Sequence, residues 1–187
     1  MKKKELVYRE ILYQALENGN KRLTQKRLAE DLHISLSTVN NALAPIKGMG
    51  AVRIDPRSFD VVNPQKILYY WASIRNLEKD IIYKTRVDRN VSEIEKSMPS
   101  RVVFGGYSAY KFRFNDVPAD YSEVYVYADT LEEIKKRFPE SKNPSNLFVL
   151  KKGFEEMTLA NIFVDLWNMK EWYAKDFIEG IEKRLKI

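Results

Sequence analysis

Between Glu5 and Asn18, Leu6, Ile11, Leu12 and Leu16 recur at helical spacing, with Tyr8 and Tyr13 at the margins of that face. Two shorter amphipathic segments follow. Thr24 stands at an N-cap position before a helix of about two turns lined by Leu28, Ala29 and Leu32. Ser35 can cap a third helix, whose inner side is Val39, Ala42, Leu43 and Ile46. Pro45 removes a helical hydrogen bond, at a cost of roughly 3 kcal/mol in a helix interior. The third helix is therefore expected to kink or end near Ala44. Gly48 and Gly50 supply stop signals. Ala51 to Ile54 and Phe59 to Val62 read as strands on either side of the turn Asp55-Pro56-Arg57-Ser58.

Asn63-Pro64 reads as an N-cap followed by proline at the first helical position, opening a helix over 65–76 that is expected to connect two domains. Farther on, a β-rich run ends at Gly105-Gly106. Residues 121–128 alternate strictly: Ser122, Val124, Val126 and Ala128 share one face, and Tyr121, Glu123, Tyr125 and Tyr127 share the other. Asp129 and Glu132 are spaced as a capping box for a helix. Residues 146–152 read as a second strand, Thr158 as the cap of a long apolar helix, and 171–185 as a final amphipathic helix. The fold class expected is α+β, with three helices and a hairpin followed by an α/β domain with a small mixed sheet. The expected boundaries are 1–64, connector helices over 65–98, and 99–187.

Composition narrows the chemistry. With no Cys and one His in 187 residues, disulfides, thiolate metal sites and a cysteine nucleophile are excluded. The single histidine, His33, lies between two helices. The longest uncharged apolar run, Ile67 to Ala72, falls far short of the ~20 residues a membrane helix needs. Glu5, Arg9 and Glu10 interrupt what would be the apolar core of a signal peptide after Met1-Lys2-Lys3-Lys4. A cytoplasmic protein with no membrane partner is expected, and abundant Lys, Glu, Ile and Tyr lean toward a heat-adapted composition. The net charge is +6, and residues 1–70 hold 12 Lys and Arg against 7 Asp and Glu. The rest of the chain is nearly balanced, so a polyanion, DNA being the commonest, is the expected partner of the N-terminal part.

The spacing of Ala29, Ile34 and Val39 resembles the helix-turn-helix pattern: a small residue at the helix crossing, an apolar plug in the turn, and a β-branched anchor on the recognition helix. His33 occupies the turn position usually held by glycine, and histidine is among the residues enriched at positive φ. Together with the hairpin, residues 5–64 resemble the winged-helix family of bacterial and archaeal transcription regulators. If the apolar positions face inward, Ser37, Thr38, Asn41 and partly Asn40 face outward, and an asparagine's adjacent donor and acceptor suit adenine. The resemblance implies double-stranded DNA as partner, Gln25, Lys26 and Arg27 at the backbone, and Arg53 and Arg57 reaching phosphates or the minor groove. Ser35 and Lys47, near the two ends of the third helix, complete the expected contacts.

The segment VVFGGYSAY, with YSEVYVYA after it, resembles the opening of a nucleotidyltransferase fold, where a strand carries two carboxylates one residue apart to hold Mg²⁺. Here the facing pair is Glu123 and Tyr125, so one ligand is missing. Asp116 and Asp120 fall in a loop, and Asp165 reads as a paired structural acid in an apolar helix. No catalytic residue, metal or cofactor is expected, and the chain is not expected to be an enzyme. There is no P-loop, and Gly48-x-Gly50 lacks the remaining glycine of a dinucleotide fingerprint. With TLANIFVDLW near the end, the whole is similar to the abortive-infection type of antitoxin, a DNA-binding autorepressor encoded beside a toxin. Three functions stay open. One is a transcriptional regulator, a repressor, whose C-terminal domain dimerises, binds a partner or senses an effector. The others are an antitoxin-like autorepressor with a toxin partner, and a nucleotidyltransferase-type enzyme with a degenerate metal site. A homodimer is expected.

Overall fold

In the computed structural model, helix α1 (Lys3–Leu16) is turned about its axis from the face that its leucines suggest. Val7, Tyr8, Ile11, Leu12 and Ala15 are buried, and Leu6 and Leu16 are only half-buried. Two polar contacts set this rotation. Glu5 is drawn inward to Arg75, and the Tyr8 hydroxyl donates to the Ala42 carbonyl at 2.9 Å. Tyr8 thereby moves from the margin to the centre of the packed face. Burial and the nearby Tyr70 raise its phenol above the ordinary tyrosine range.

The structure describes residues 1–185, which form two units: 1–75 with 158–160, and 76–157 with 161–185. In the first unit, α2 (Gln25–Asp31) starts where the Thr24 hydroxyl accepts the Arg27 N–H at 3.2 Å. His33, at φ 50, makes the turn, and the Ser35 hydroxyl accepts the Thr38 N–H at 3.2 Å to open α3 (Leu36–Gly48). This helix runs past Pro45 instead of ending at Ala44. Proline deprives only the Asn41 carbonyl of its helical donor, while fully buried Ile46 anchors the next turn and its carbonyl accepts the Ala51 N–H at 2.8 Å. Strands β1 (Arg22–Leu23), β2 (Val52–Ile54) and β3 (Phe59–Val61) form an antiparallel sheet in the order β1-β3-β2. The β2–β3 loop closes with the Asp55 N–H on the Ser58 carbonyl at 2.9 Å. Helix α4 (Pro64–Ile74), capped by Asn63, buries Ile67, Leu68, Trp71 and Ala72.

The second unit begins with a single 3-10 turn (Leu77–Asp80) and continues β4 (Ile81–Thr85), α5 (Val91–Lys96), β5 (Val103–Gly105), α6 (Gly106–Phe114), β6 (Val124–Ala128), α7 (Glu132–Arg137), β7 (Leu147–Lys151), α8 (Leu159–Trp167) from its third residue on, and α9 (Ala174–Leu185). Its sheet has the order β4-β7-β6-β5, with β6 and β7 parallel and the other two pairs antiparallel. The chain is thus mixed α+β with two small sheets. Residues 65–98, expected as helical connectors, divide between the two units and include a strand. In β4 the alternation is only five residues long, with Tyr83 and Thr85 buried and the Tyr83 hydroxyl on the Phe138 carbonyl at 2.6 Å. The Asp129–Glu132 capping box does not form. Leu131 is the N-cap of α7, and Asp129 pairs with Lys152 at 3.5 Å. A capping box forms instead between Asn90 and Glu93 at the start of α5.

Both faces of the larger sheet are covered. Val124, Val126 and Ala128 pack with Leu147 and Val149 against Ile94 of α5 and Ile134 of α7. On the opposite face Tyr125 stacks on Phe148, and the Tyr127 hydroxyl donates to Asp165 of α8 at 2.8 Å. A strand covered on both sides must be apolar or internally paired at every position, as β6 is. No helix among the described residues is long and apolar enough to cross a membrane.

Candidate nucleic-acid interface

Three local devices present the outer side of α3. The positive φ of His33 reverses the chain after α2. The Ser35 cap fixes where α3 starts, and the burial of Val39, Ala42, Leu43 and Ile46 fixes which side faces the core. Ser37, Asn40 and Asn41 are left exposed and Thr38 half-buried. The hydroxyls are already engaged with one another, because the Ser35 Oγ lies 3.0 Å from the Ser37 Oγ and 2.9 Å from the Thr38 Oγ1. Asn40 and Asn41 have no hydrogen-bond partner for their side-chain amides among the described residues. Leu36, 49% exposed at the first turn, places an apolar side chain beside them. Leu36 lies off the inner apolar face of α3, and the only signal for it in the sequence is its place directly after the serine cap.

The expected backbone contacts fall into three groups. Lys26 and Arg27 on α2 are exposed but pair one turn on with Glu30 at 3.8 Å and Asp31 at 3.5 Å. Such exposed pairs are screened and readily exchanged. Gln25 is half-buried beside them. Lys47 and Arg57 are exposed and have no ion-pair partner among the described residues. Arg53 differs: its Nη2 donates to Asp60 Oδ2 at 2.6 Å, and this hydrogen bond, aided by the charges of Asp60 and Asp55, raises the guanidinium above its ordinary range. Arg22, which sequence reasoning also misses, lies 3.8 Å from Asp55 and 4.0 Å from Asp60.

In the second unit the acids meet phenols. Glu123 accepts from the hydroxyls of Ser122, at 2.7 Å, and Tyr173. The Tyr125 hydroxyl reaches Glu171 at 3.5 Å, and the Tyr107 hydroxyl reaches the same carboxylate at 3.0 Å. The second carboxylate near Glu123 is therefore Glu171, from the segment between α8 and α9, which strand periodicity could not reveal. Burial raises the Glu123 carboxyl above the ordinary glutamate range, its Ser122 hydrogen bonds pull it back, and Glu171's charge adds to the rise. The phenols of Tyr107 and Tyr125 are raised by burial and then by Glu171. Asp165, 1% exposed, accepts from Tyr127, and Asp116 pairs with Arg184 at 2.8 Å. Asp120 is exposed. Among the described residues no group of three or more His, Asp or Glu is placed to hold a metal ion.

Compared with protein-family models, with curated proteins and with solved structures, the chain matches none.

Proposed function

We propose that the chain is a winged-helix DNA-binding regulator of transcription, a repressor, in which α3 enters the major groove and the β2–β3 hairpin is the wing. The observation that carries this reading is the His33 turn with the Ser35 cap, which leaves Asn40 and Asn41 outward and uncommitted on a helix whose other side is core. Exposed asparagine amides on the first two turns of a helix suit the adenine edge, and Leu36 suits a thymine methyl group. Lys47 and Arg57 are free to meet phosphates, and Lys26 and Arg27 can exchange their exposed partners for them. The basic excess of the first 70 residues supplies the attraction.

The second unit is read as a dimerisation, partner-binding or effector-sensing module, not as a catalyst. Its two neighbouring acids, Glu123 and Glu171, are engaged by phenols and a serine, where a nucleotidyltransferase needs carboxylates turned to a metal. A toxin-like protein partner is one form this module's role could take.

Selection of bound duplexes from a random pool by the full chain, followed by affinity measurements at several salt concentrations, tests the reading. A recovered motif and an affinity that falls steeply with salt are expected. Negligible binding to any duplex at low salt would overturn it.

A further inference from the structure

The three strands of the smaller sheet carry a row of charges in direct register. Arg22 of β1 and Arg53 of β2 are both the cross-strand partners of Asp60 in the central strand β3. Because Leu23, Val52, Phe59 and Val61 on the alternate positions are buried, the row lies on the solvent-facing side. Arg22 and Arg53 are largely exposed, with side chains 68% and 71% accessible, and Asp60 between them is 20% accessible. Asp55, at the start of the loop, lies 3.8 Å from Arg22. Two guanidiniums therefore face two carboxylates, and the group has no net charge.

An ion pair acts on a distant phosphate as a dipole, whose pull dies away faster than that of a lone charge. A phosphate that took Arg53 would also have to displace a carboxylate at 2.6 Å and then sit next to it. Charge pairs on an exposed sheet face add little to stability, so the larger effect of this row is on what the wing attracts.

Resting on the DNA-binding reading, we infer that Asp60 is a specificity-determining residue: with Asp55 it cancels the charge of Arg22 and Arg53, so that the wing holds random duplex only through Arg57. Affinity for random DNA is kept low, and discrimination falls to the outward residues of α3. Arg53 then meets phosphate only where docking by α3 draws it away from Asp60.

The test uses the full chain and a random-sequence duplex of 30 base pairs, with folding followed by thermal melting. Asp60→Asn is expected to bind this duplex about three- to ten-fold more tightly at ~0.1 M salt, with the log–log salt slope steeper by about one. Arg53→Gln alone is expected to change binding less than about two-fold, but to reverse most of the gain when combined with Asp60→Asn. Unchanged or weaker binding by Asp60→Asn overturns the inference while leaving DNA binding intact. So does an Arg53→Gln loss as large as that of Arg57→Gln. If the unaltered protein itself binds no duplex at low salt, the DNA-binding reading falls and this inference with it. Should Asp60→Asn not fold, Asp55→Asn removes the carboxylate nearest Arg22 and part of the negative charge acting on Arg53, while Asp60 stays beside both; it is expected to tighten binding by about two-fold, and no change would overturn the inference.

Discussion

Arg75 Nη1 lies 3.2 Å from Glu5 Oε2 inside the first unit, with the two side chains 1% and 4% exposed. The same carboxylate oxygen accepts the Trp71 indole N–H at 3.3 Å, and the other accepts the Lys2 N–H at 3.3 Å. The pair ties the first turn of α1 to the end of α4. Removing one member leaves the other charge buried and unpaired, so Glu5→Gln and Arg75→Met should each cost about 3–5 kcal/mol in urea denaturation. The double variant Glu5→Leu/Arg75→Met should recover more than half of that loss. A single variant as stable as the unaltered chain would show that the pair is not held out of water.

Under the proposed DNA-binding reading, Asn41 and Arg57 divide base reading from phosphate holding. On a duplex recovered by selection, Asn41→Ala is expected to cost about 1–3 kcal/mol and much less on random DNA, since its two hydrogen bonds depend on the base met. Arg57→Ala should weaken both duplexes nearly equally and flatten the salt dependence by about one unit of slope. An unchanged specificity ratio for Asn41→Ala would move base reading to Leu36 and Asn40.

Glu123 gives the second unit a pH dependence with a definite sign. Its carboxyl is raised in the folded chain, chiefly by burial, so between the ordinary glutamate value and the folded one the folded state holds more proton than the unfolded. Stability should therefore fall as pH rises through that window, and its unfavourable contribution is fully present above it. Glu123→Gln should remove this component of the slope and raise the melting temperature relative to the unaltered chain above the window. A melting profile with the same pH slope in both proteins would refute it.

Gly180 sits where any side chain meets Tyr110. A Cβ there would overlap the phenol oxygen and lie 3.1 Å from Cζ, while that oxygen is held by Arg184 Nη1 at 2.6 Å and the ring is packed between Phe114 and Phe177. Alanine is the better helix former by about 1 kcal/mol, yet Gly180→Ala should destabilise by about 1–3 kcal/mol through overpacking. Adding Tyr110→Phe, which deletes the overlapped oxygen, should return part of the loss in thermal melting.

What could be read from the chain in advance was what is local. The Thr24, Ser35 and Asn63 caps each bond a backbone N–H three residues on, and the turn at His33 needs only its own φ, so neighbours in sequence specify them. The rotation of α1 was not legible, because it is set by Arg75 and Ala42, far along the chain. The pairing of Arg53 was hidden for the same reason: Asp60 is seven residues away, and only the strand register brings them together. The strand β4 was missed because five alternating residues carry a weak signal, and Glu171 because no periodicity links it to Glu123. Asp129 shows the converse, a capping-box spacing that the fold leaves unused: α7 has Leu131 as its N-cap, and Asp129 lies 3.5 Å from Lys152.

The strand order β4-β7-β6-β5 also bears on how the chain can assemble as it is made. β4 pairs only with β7, so its backbone groups wait for a strand that begins at Leu147. Apart from residues 158–160, the first unit lies within residues 1–75, and contacts that close short loops form sooner than those that close long ones. As the chain leaves the ribosome, the part that carries His33, Asn41 and Asp60 is therefore able to assemble while β4 is still an unpaired edge, exposed to whatever else can add a strand to it.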